Sequence, residues 1–367
     1  MNKDPFKEYF RESEPDKRDK GYAWHTAIGL QAVDGLKTSD YLVHTAVRNI
    51  EGEISFEEAN VLLQTYYEEN PAHNAEDRTE EADKVAARIA ALLSEKAFSF
   101  TPNEYLSIHR KLFTGIYPHA GRIRDYNITK KEWVLDGATV LYGSATELRA
   151  TLDYDFSEEK KFSYKNLTMD EIIHHLAVFV SRLWQIHVFG EGNTRVTAVF
   201  FIKYLRTLGF DVTNDIFAEN AWYFRNSLVR ANYNDLKNSI YETTEYLELF
   251  LRNLLLNENH SLHNRTLHIS GTFKETEKPD IRTTKPDIEE LKADIEKAFQ
   301  PKTVSHILKL REAFPGKTIF GRSDVMGVID IKPSRASDLL KDMVEHRIIE
   351  SVFGHGKGKY RFRNRQG

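Results

Sequence analysis

Residues 168–208, TMDEIIHHLAVFVSRLWQIHVFGEGNTRVTAVFFIKYLRTL, hold two apolar-periodic runs separated by a short loop with two glycines. Thr168 and Glu171 have the spacing of a capping box, which predicts the start of the first helix. Apolar residues then repeat on one helical face until the loop Val188–Asn193. A second helix is predicted over about Thr194–Leu208, again with apolar residues at helical spacing. Two core helices therefore flank a glycine-containing loop.

The same helical rhythm extends from about Ser39 to Leu256, so the predicted fold class is mainly α. Ser55 with Glu58 forms a second capping-box pattern. Between Gly121 and Leu141 the pattern changes, because strand-like residues lie on both sides of an Asp136-Gly137 turn. We therefore expect a β-hairpin, or flap, inserted in a helical core.

The sequence predicts that the C-terminal part of the chain is a separate domain. Residues 258–300 are polar and poor in apolar side chains, which is typical of a linker. Residues 301–367 show three helical segments followed by two short strand-like pieces, the order of a winged-helix domain. This segment has 14 lysines and arginines against 7 aspartates and glutamates. This positive charge predicts that the third helix and the wing contact DNA. The alternative is that the domain only mediates protein contacts, as many winged helices do.

Composition narrows the function classes. The chain has no cysteine, which excludes disulfides, thiolate metal sites and a thiol nucleophile. No apolar run approaches the roughly 20 residues needed to span a bilayer, and the polar N-terminus lacks the apolar core of a secretory signal. We expect no membrane contact and a cytoplasmic location. The net charge of −4 gives no global reason to expect nucleic-acid binding.

The loop between the two core helices has the residues of a phosphate cradle. Gly190 and Gly192 allow backbone N–H groups to turn inward as an anion nest, at the start of a helix whose dipole favours phosphate. Asn193 is suited to donate a hydrogen bond to a phosphate oxygen, and Arg195 to contact further phosphates as a fork. We therefore expect a di- or triphosphate to bind here.

Two further side chains of the loop add chemistry. Glu191 is a hard oxygen ligand suited to hold Mg²⁺ against phosphate oxygens. His187, at the end of a buried helix, is the group nearby that accepts a proton near neutral pH. A lone histidine at a helix end is usually a core residue, and a lone Gly-x-Gly is usually a turn. Together these residues predict a phosphoryl-transfer site.

The segment His187-Val-Phe-Gly-Glu-Gly-Asn-Thr-Arg195 resembles the signature of the Fic family, His-x-Phe-x-Asp/Glu-Gly-Asn-Gly-Arg-x-x-Arg, and Asn103–Asn257 resembles the Fic domain. The resemblance implies a protein adenylyltransferase (AMPylator) that transfers AMP from ATP to a Ser, Thr or Tyr hydroxyl of a target protein or of itself. It implies that His187 deprotonates this hydroxyl and that Glu191 binds Mg²⁺.

The resemblance also assigns nucleotide contacts and a target-binding flap. The residues implied in nucleotide binding are Gly190, Gly192, Asn193, Thr194 and Arg195, with Tyr223 and Tyr233 as candidates for the adenine pocket. The flap around Asn127–Tyr142 would align the target segment by strand addition. Two positions depart from the signature. Thr194 replaces a glycine, and Ala198 replaces the second arginine, which removes one cationic contact to the terminal phosphate.

The resemblance further implies that the protein is autoinhibited. Residues 39–52 are predicted as a helix that ends in Ile-Glu-Gly, a string that resembles the inhibitory helix of Fic proteins. Glu51 would block the terminal phosphate position. The family's Ser/Thr is Val47 here, and its paired arginine is Ala198, so we hypothesise incomplete autoinhibition with Arg195 as the remaining partner. The alternative that Glu51 is an exposed surface residue stays open.

The predicted organisation is an N-terminal helical region at 1–102, a catalytic domain at 103–257, a linker at 258–300 and a winged-helix domain at 301–367. One alternative function is a non-catalytic, nucleotide-sensing regulator that binds DNA. Another is a Fic transferase that uses UTP, GTP or a phosphocholine nucleotide as donor. The sequence identifies neither the target protein nor the oligomeric state. A homodimer is one open alternative.

Overall fold

The computed structural model describes residues 5–10, 14–70, 77–212, 215–270, 299, 301–314, 320–329, 331, 333–346, 348–352 and 359–362. The chain divides into two compact units, residues 1–274 and 275–367. The first unit is mainly helical, as predicted. Its described helices are α1 (Phe6–Tyr9), α2 (Pro15–Gly29), α3 (Asp40–Ile50), α4 (Phe56–Glu69), α5 (Thr79–Ser94), α6 (Pro102–Phe113), α7 (Leu148–Lys161), α8 (Met169–Ile186), α9 (Asn193–Thr207), α10 (Ile216–Glu219), α11 (Ala221–Arg230) and α12 (Glu245–Leu256).

The two capping boxes predicted from the sequence are both formed. The Ser55 hydroxyl accepts the N–H of Glu58, whose carboxylate accepts the N–H of Ser55 in return. Thr168 and Glu171 make the same reciprocal pair at the start of α8. These bonds satisfy N–H groups that have no partner within the helix. Both helix starts are therefore encoded locally.

Helix α9 lies in the middle of the first unit. Every residue from Asn193 to Leu205 is buried, including the polar ones at its start. A helix that is covered on all sides needs partners for its polar side chains, because an unpaired buried polar group is costly. The position of α9 therefore determines what its first turn can contact.

The predicted β-hairpin is not formed as paired strands. Residues 121–143 hold no strand, although the Asp136-Gly137 turn is present, with φ values of 53° and 85°. A 3₁₀ turn at Trp133–Leu135 replaces the expected strand. Val134 and Leu135 are both buried, and adjacent residues of a strand would point to opposite faces. The flap is thus an irregular segment anchored in the core.

The predicted linker starts too early. Residues 264–267 form a 3₁₀ turn in the first unit, Leu267 is buried, and the N–H of Ile269 donates to the carbonyl of Val134. The remainder of the predicted linker, 271–298 and 300, lies outside the described residues.

The second unit contains α13 (Pro301–Ala313), β1 (Phe320–Gly321), α14 (Arg322–Ile329), α15 (Pro333–Glu345), β2 (Ile349–Ser351) and β3 (Lys359–Phe362). Its three strands form an antiparallel sheet in the order β1-β3-β2. The three helices and the last two strands follow the predicted order, and β1 was not predicted. The wing residues 354–358 lie outside the described residues, so the winged-helix assignment stays a prediction. No described helix is long and apolar enough to cross a membrane.

Candidate active site at the junction of α8 and α9

The loop between α8 and α9 is held by its own residues. Gly192 has φ +73°, and a Cβ at this position would lie 2.4 Å from the ring of Phe113, so only glycine fits. The side chain of Asn193 braces the loop from within, because its Nδ2 donates to the Phe189 carbonyl at 2.7 Å and its Oδ1 accepts the Phe189 N–H at 3.0 Å. Both ends of the amide are used. Nδ2 carries a second N–H, so donation from Asn193 to a phosphate oxygen stays a prediction.

His187 forms the C-cap of α8 in the left-handed region, with φ 51° and ψ 57°. Its side chain is buried at 3% exposure, between the rings of Tyr142 (centroids 4.3 Å apart) and Trp184 (5.2 Å). The Thr194 hydroxyl accepts the indole N–H of Trp184 at 2.9 Å and thereby orients that ring. The Thr194 side chain therefore helps to position His187, and its predicted contact to nucleotide stays a prediction.

The imidazole of His187 is neutral at neutral pH. Burial disfavours the imidazolium and lowers its pKa well below the ordinary value, and the positive charges of Lys130, Arg124 and Arg225 act in the same direction. Its Nδ1 lies 3.3 Å from the carbonyl of Trp184, which places the proton on Nδ1. Nε2 is left as the basic nitrogen, and it has no hydrogen-bond partner among the described residues. His187 therefore has a free proton acceptor in a cationic environment.

Arg124 fixes the backbone around His187, and sequence reasoning missed it. Its Nε donates to the carbonyl of His187 at 2.7 Å, and its other nitrogens donate to the carbonyls of Ile186, Tyr126 and Gly143. The carbonyls of His187 and Ile186 lie at the end of α8, whereas those of Tyr126 and Gly143 lie just before and just after the flap. A cation is also favoured at a helix C-terminus. Arg124 therefore ties the flap to the catalytic turn, and only its place in an Arg-x-Arg pair before the flap signals this in the sequence.

The flap is closed over His187 and held by an ion pair. The Tyr142 hydroxyl donates to Oε1 of Glu132 at 2.9 Å, and Oε2 of Glu132 lies 2.7 Å from Arg225 of α11. Glu132 is buried at 1% exposure and has Arg225 as its ion-pair partner. The Tyr142 ring is therefore part of the cover over the imidazole of His187.

Glu191, the predicted Mg²⁺ ligand, is the exposed residue of the loop. Its carboxylate is half exposed, and its nearest cation is Lys130 at 3.9 Å. Its carbonyl is held by Nε2 of His109 at 3.2 Å, while Nδ1 of His109 accepts the N–H of Gly121 at 2.7 Å. Burial lowers the pKa of His109 to about 3. His109 is thus a neutral brace of the loop that sequence reasoning missed.

The donor set fits Mg²⁺ delivered with a nucleotide. Mg²⁺ usually takes one or two carboxylates together with phosphate oxygens and waters. Glu191 offers one accessible carboxylate, and the described residues contain no group of three or more metal-ligating side chains. The described residues alone therefore do not enclose such an ion, and phosphate oxygens would complete its coordination.

Arg195 does not face the loop. Its side chain is fully buried, with Nε 2.8 Å from Asp34 and one terminal nitrogen 2.7 Å from Glu81. The other terminal nitrogen donates to Gln31 at 3.1 Å, and the guanidinium lies over the ring of Phe113. In this arrangement two carboxylates occupy the guanidinium, and the phosphate contact of Arg195 stays a prediction.

Glu51 also lies elsewhere than predicted. As expected, α3 begins after the Ser39 cap and ends before Gly52 at φ +82°. The Glu51 carboxylate, however, lies 2.9 Å from Lys17 of α2, and this hydrogen bond lowers its pKa. In this arrangement Glu51 is paired with Lys17 and Arg195 with Asp34 and Glu81, so a contact between Glu51 and Arg195 stays a prediction.

The two tyrosines proposed for the adenine pocket differ in placement. Tyr223 of α11 is buried in the hydrophobic core, and burial raises its pKa. Its ring is therefore closed off from a ligand in this arrangement. Tyr233 is half-buried and packs at the edge of the same core. No described contact joins it to the loop, so its role stays a prediction.

A cavity of about 660 Å³ lies at the other end of α9, lined by residues that include Lys203 and Arg206. Both of these cations donate to carbonyls at the end of α5. This cavity is thus remote from the loop and its histidine, and the chemistry of the two places is unrelated.

The match to a protein-family model supports the interpretation of the loop. Residues 99–205 match the sequence model of the Fic/DOC family, and this range contains α6 to α9 with the loop and His187. No curated protein matches the sequence. A crystal structure of a Fic family protein from Desulfovibrio desulfuricans G20 aligns with 99% of this chain and 94% of its own, at 11% sequence identity and a TM-score of 0.41.

Proposed function

We propose that the protein is a nucleotidyltransferase that moves AMP from ATP to a hydroxyl side chain of a protein, either an unidentified target or itself. The observation that carries this proposal is the free Nε2 of a neutral His187 beside the two-glycine loop at the start of α9. The Fic/DOC match over residues 99–205 supports it, since Fic domains are generally transferases.

The proposed chemistry uses few groups of the chain. The target hydroxyl oxygen attacks the α-phosphorus in line, the bond from that phosphorus to the pyrophosphate oxygen breaks, and the hydroxyl proton passes to Nε2 of His187. The depressed pKa of His187 keeps it in the form that accepts a proton. Backbone N–H groups of Gly190–Gly192 would bind phosphate oxygens. Mg²⁺ held by Glu191 would neutralise charge on the leaving pyrophosphate.

The closed flap requires an opening step before any transfer. Tyr142 covers His187, and its hydroxyl is fastened to the Glu132–Arg225 pair. We propose that a target segment binds along 127–142 and displaces Tyr142, which would expose the base only when a substrate hydroxyl is present. Water would then have little access to the bound nucleotide.

The test is incubation of the full chain with Mg²⁺ and each nucleoside triphosphate separately, followed by intact mass and by labelling of cell extract with a tagged nucleotide. We expect ATP to add one AMP to a protein, and His187→Ala to abolish this. The matched control is His174→Ala, since His174 is an exposed residue of the same helix that contacts Glu248. Labelling that survives His187→Ala, or fails with every donor, contradicts the proposal. Transfer from UTP, GTP or a phosphocholine nucleotide would keep the enzyme and change the donor.

A non-catalytic regulator is the second candidate function. It is favoured by the complete burial of Arg195 and by the near-complete burial of His187, because neither side chain is accessible to a ligand in this arrangement. Under this hypothesis, the basic second unit binds DNA and the loop between α8 and α9 binds nucleotide as a sensor. Equal binding of a DNA fragment by wild type and His187→Ala, without transfer in either, would favour this function.

Three further predictions remain proposals. A brake through Glu51 would require this side chain to leave Lys17 and reach the loop. A cytoplasmic location and a homodimer also stay predictions.

A further inference from the structure

Two polar side chains that the Fic signature does not include converge on Gly190. A Cβ placed on this glycine would lie 2.6 Å from the hydroxyl oxygen of Tyr126 and 3.3 Å from Nε2 of His119. Both atoms therefore lie beside the same short piece of main chain, in the first half of the loop. The absence of a side chain at Gly190 leaves this point open to them.

The imidazole of His119 is fixed in orientation but lacks a partner. Its ring is stacked on Tyr117, with centroids 5.3 Å apart and planes 6° from parallel. Tyr117 is itself held, because its hydroxyl donates to Glu81 at 2.6 Å. Nε2 of His119 is buried, and no hydrogen-bond partner for it exists within the described part of the chain. A buried polar atom held in place without a partner suggests a bound group that the protein alone does not supply.

The charges around the loop favour an anion as that group. Lys130 approaches Glu191 from the flap, and the charge of Lys130 reaches His187. Arg195, in contrast, is neutralised by Asp34 and Glu81 and does not reach the loop. The donors available to a ligand at Gly190 are thus an imidazole, a phenol hydroxyl and main-chain N–H groups. Such a set suits the oxygens of a phosphate chain.

We infer that His119 and Tyr126 donate hydrogen bonds to the phosphate chain of the nucleotide at Gly190, a role for which Arg195 is not free because it is paired with Asp34 and Glu81. This inference rests on the proposed function for the identity of the nucleotide, but its central claim is phosphate binding by these two side chains. Contacts to the phosphate chain from these two side chains would also affect donor preference.

The experiment is a calorimetric titration of the full chain with inorganic tripolyphosphate, and separately with ATP, in buffer containing Mg²⁺. We expect His119→Ala to weaken binding of both ligands at least tenfold, the usual size for loss of a hydrogen bond to a charged group. His119→Gln retains an N–H donor and should lose less. Tyr126→Phe should weaken both ligands severalfold. Tyr241→Phe, an exposed tyrosine outside the Fic/DOC match, is the matched control and should bind as wild type does.

Binding of tripolyphosphate is measured without any transfer. The inference about His119 and Tyr126 can therefore fail independently of the proposed transferase function. Absence of labelling by wild type would remove the proposed function, while a weaker His119→Ala would still support the inference. Unchanged affinity in both His119→Ala and Tyr126→Phe, or no binding of tripolyphosphate to wild type, overturns the inference. Thermal unfolding of each variant checks its fold, and His119→Gln serves as the second variant if His119→Ala unfolds.

Discussion

The guanidinium of Arg195 lies 2.7 Å from the carboxylate of Glu81, although Arg195 occupies the position of the signature expected to face phosphate. Glu81 also accepts hydrogen bonds from Arg78 at 2.8 Å and from Tyr117 at 2.6 Å. The arginine is therefore part of a buried network between α5 and α9. In this arrangement its charge stabilises the helical core and is not presented to a ligand.

Glu81→Gln should reduce stability and change its pH dependence. Burial alone would raise the pKa of Glu81, but hydrogen bonds from Arg78 and Tyr117 and the charge of Arg195 outweigh it, and the pKa lies below its ordinary value of 4.5. The stabilisation is therefore complete above pH 4.5 and is lost as pH falls through the lower, folded-state pKa. Urea unfolding between pH 7 and pH 3 should show a smaller decline for the variant than for wild type.

The size of that effect can be bounded. Breaking a buried pair by removal of one partner costs about 3–5 kcal/mol, and glutamine should cost less because it still accepts a hydrogen bond. Glu80→Gln is the matched control, since Glu80 is a neighbour on α5 with a more exposed side chain that pairs with Lys84. A decline as steep in Glu81→Gln as in wild type would contradict the network.

Gly192→Ala should be far more damaging than Gly52→Ala. Both glycines have positive φ, 73° and 82°, so both variants place a side chain in the left-handed region. That common cost is about 1 kcal/mol. Only at Gly192 would the new Cβ collide with a ring, 2.4 Å from Phe113, whereas no atom lies within 4 Å at Gly52. Thermal unfolding should therefore show a large loss for Gly192→Ala and a small one for Gly52→Ala; equal losses would mean that Phe113 yields easily.

Tyr142→Ala should expose His187 to solvent. The Tyr142 ring covers the imidazole, and burial is the largest cause of its lowered pKa, so removal of the ring should raise that pKa toward the ordinary range. An imidazole-acylating reagent should modify His187 in the variant and spare it in wild type, as read by peptide mass. Leu141→Ala, at an exposed neighbouring position, is the control. Equal modification of His187 in wild type and Tyr142→Ala would show that the flap is already open.

Local patterns predicted the helices well because their causes are local. The capping boxes at Ser55 and Thr168 and the apolar faces of α8 and α9 depend on residues within a few positions of each other. The flap was predicted less well, since Val134 is drawn into the core and its carbonyl is taken by Ile269, which is distant in sequence. A propensity for strand is readily overridden by such tertiary contacts.

The candidate site was predicted in part for the same reason. The signature located His187 and the glycine loop, and the structure brings them together at the junction of α8 and α9. The partners of Arg195 were missed because Asp34 and Glu81 belong to elements more than 100 residues earlier in the chain. His109 and Arg124 were missed because each contacts main-chain carbonyls. Every residue type has a main-chain carbonyl, so such contacts do not constrain the residue type of the partner and cannot be recognised in the sequence.

Arg124→Ala should reduce transfer at least a hundredfold, and Arg124→Lys should restore little of it. The guanidinium contacts four carbonyls in different directions, whereas an ammonium group of lysine is a point donor without the planar fork. His187 has φ 51°, a conformation that a non-glycine residue keeps only when its surroundings hold it. Loss of Arg124 should therefore let the catalytic turn relax and move Nε2 away from the loop.

The measurement must separate positioning of His187 from loss of fold. At about 1 kcal/mol for each hydrogen bond, Arg124→Ala should lower the free energy of unfolding by a few kcal/mol, which leaves a domain of this size folded at low temperature. Transfer should then fall at least a hundredfold in kcat while KM for ATP changes little, because the phosphate contacts do not involve Arg124. Arg122→Ala is the matched control, since Arg122 lies two residues earlier and is exposed. A rise in KM with kcat unchanged would instead make Arg124 a nucleotide-binding residue, and the turn at His187 would not depend on it.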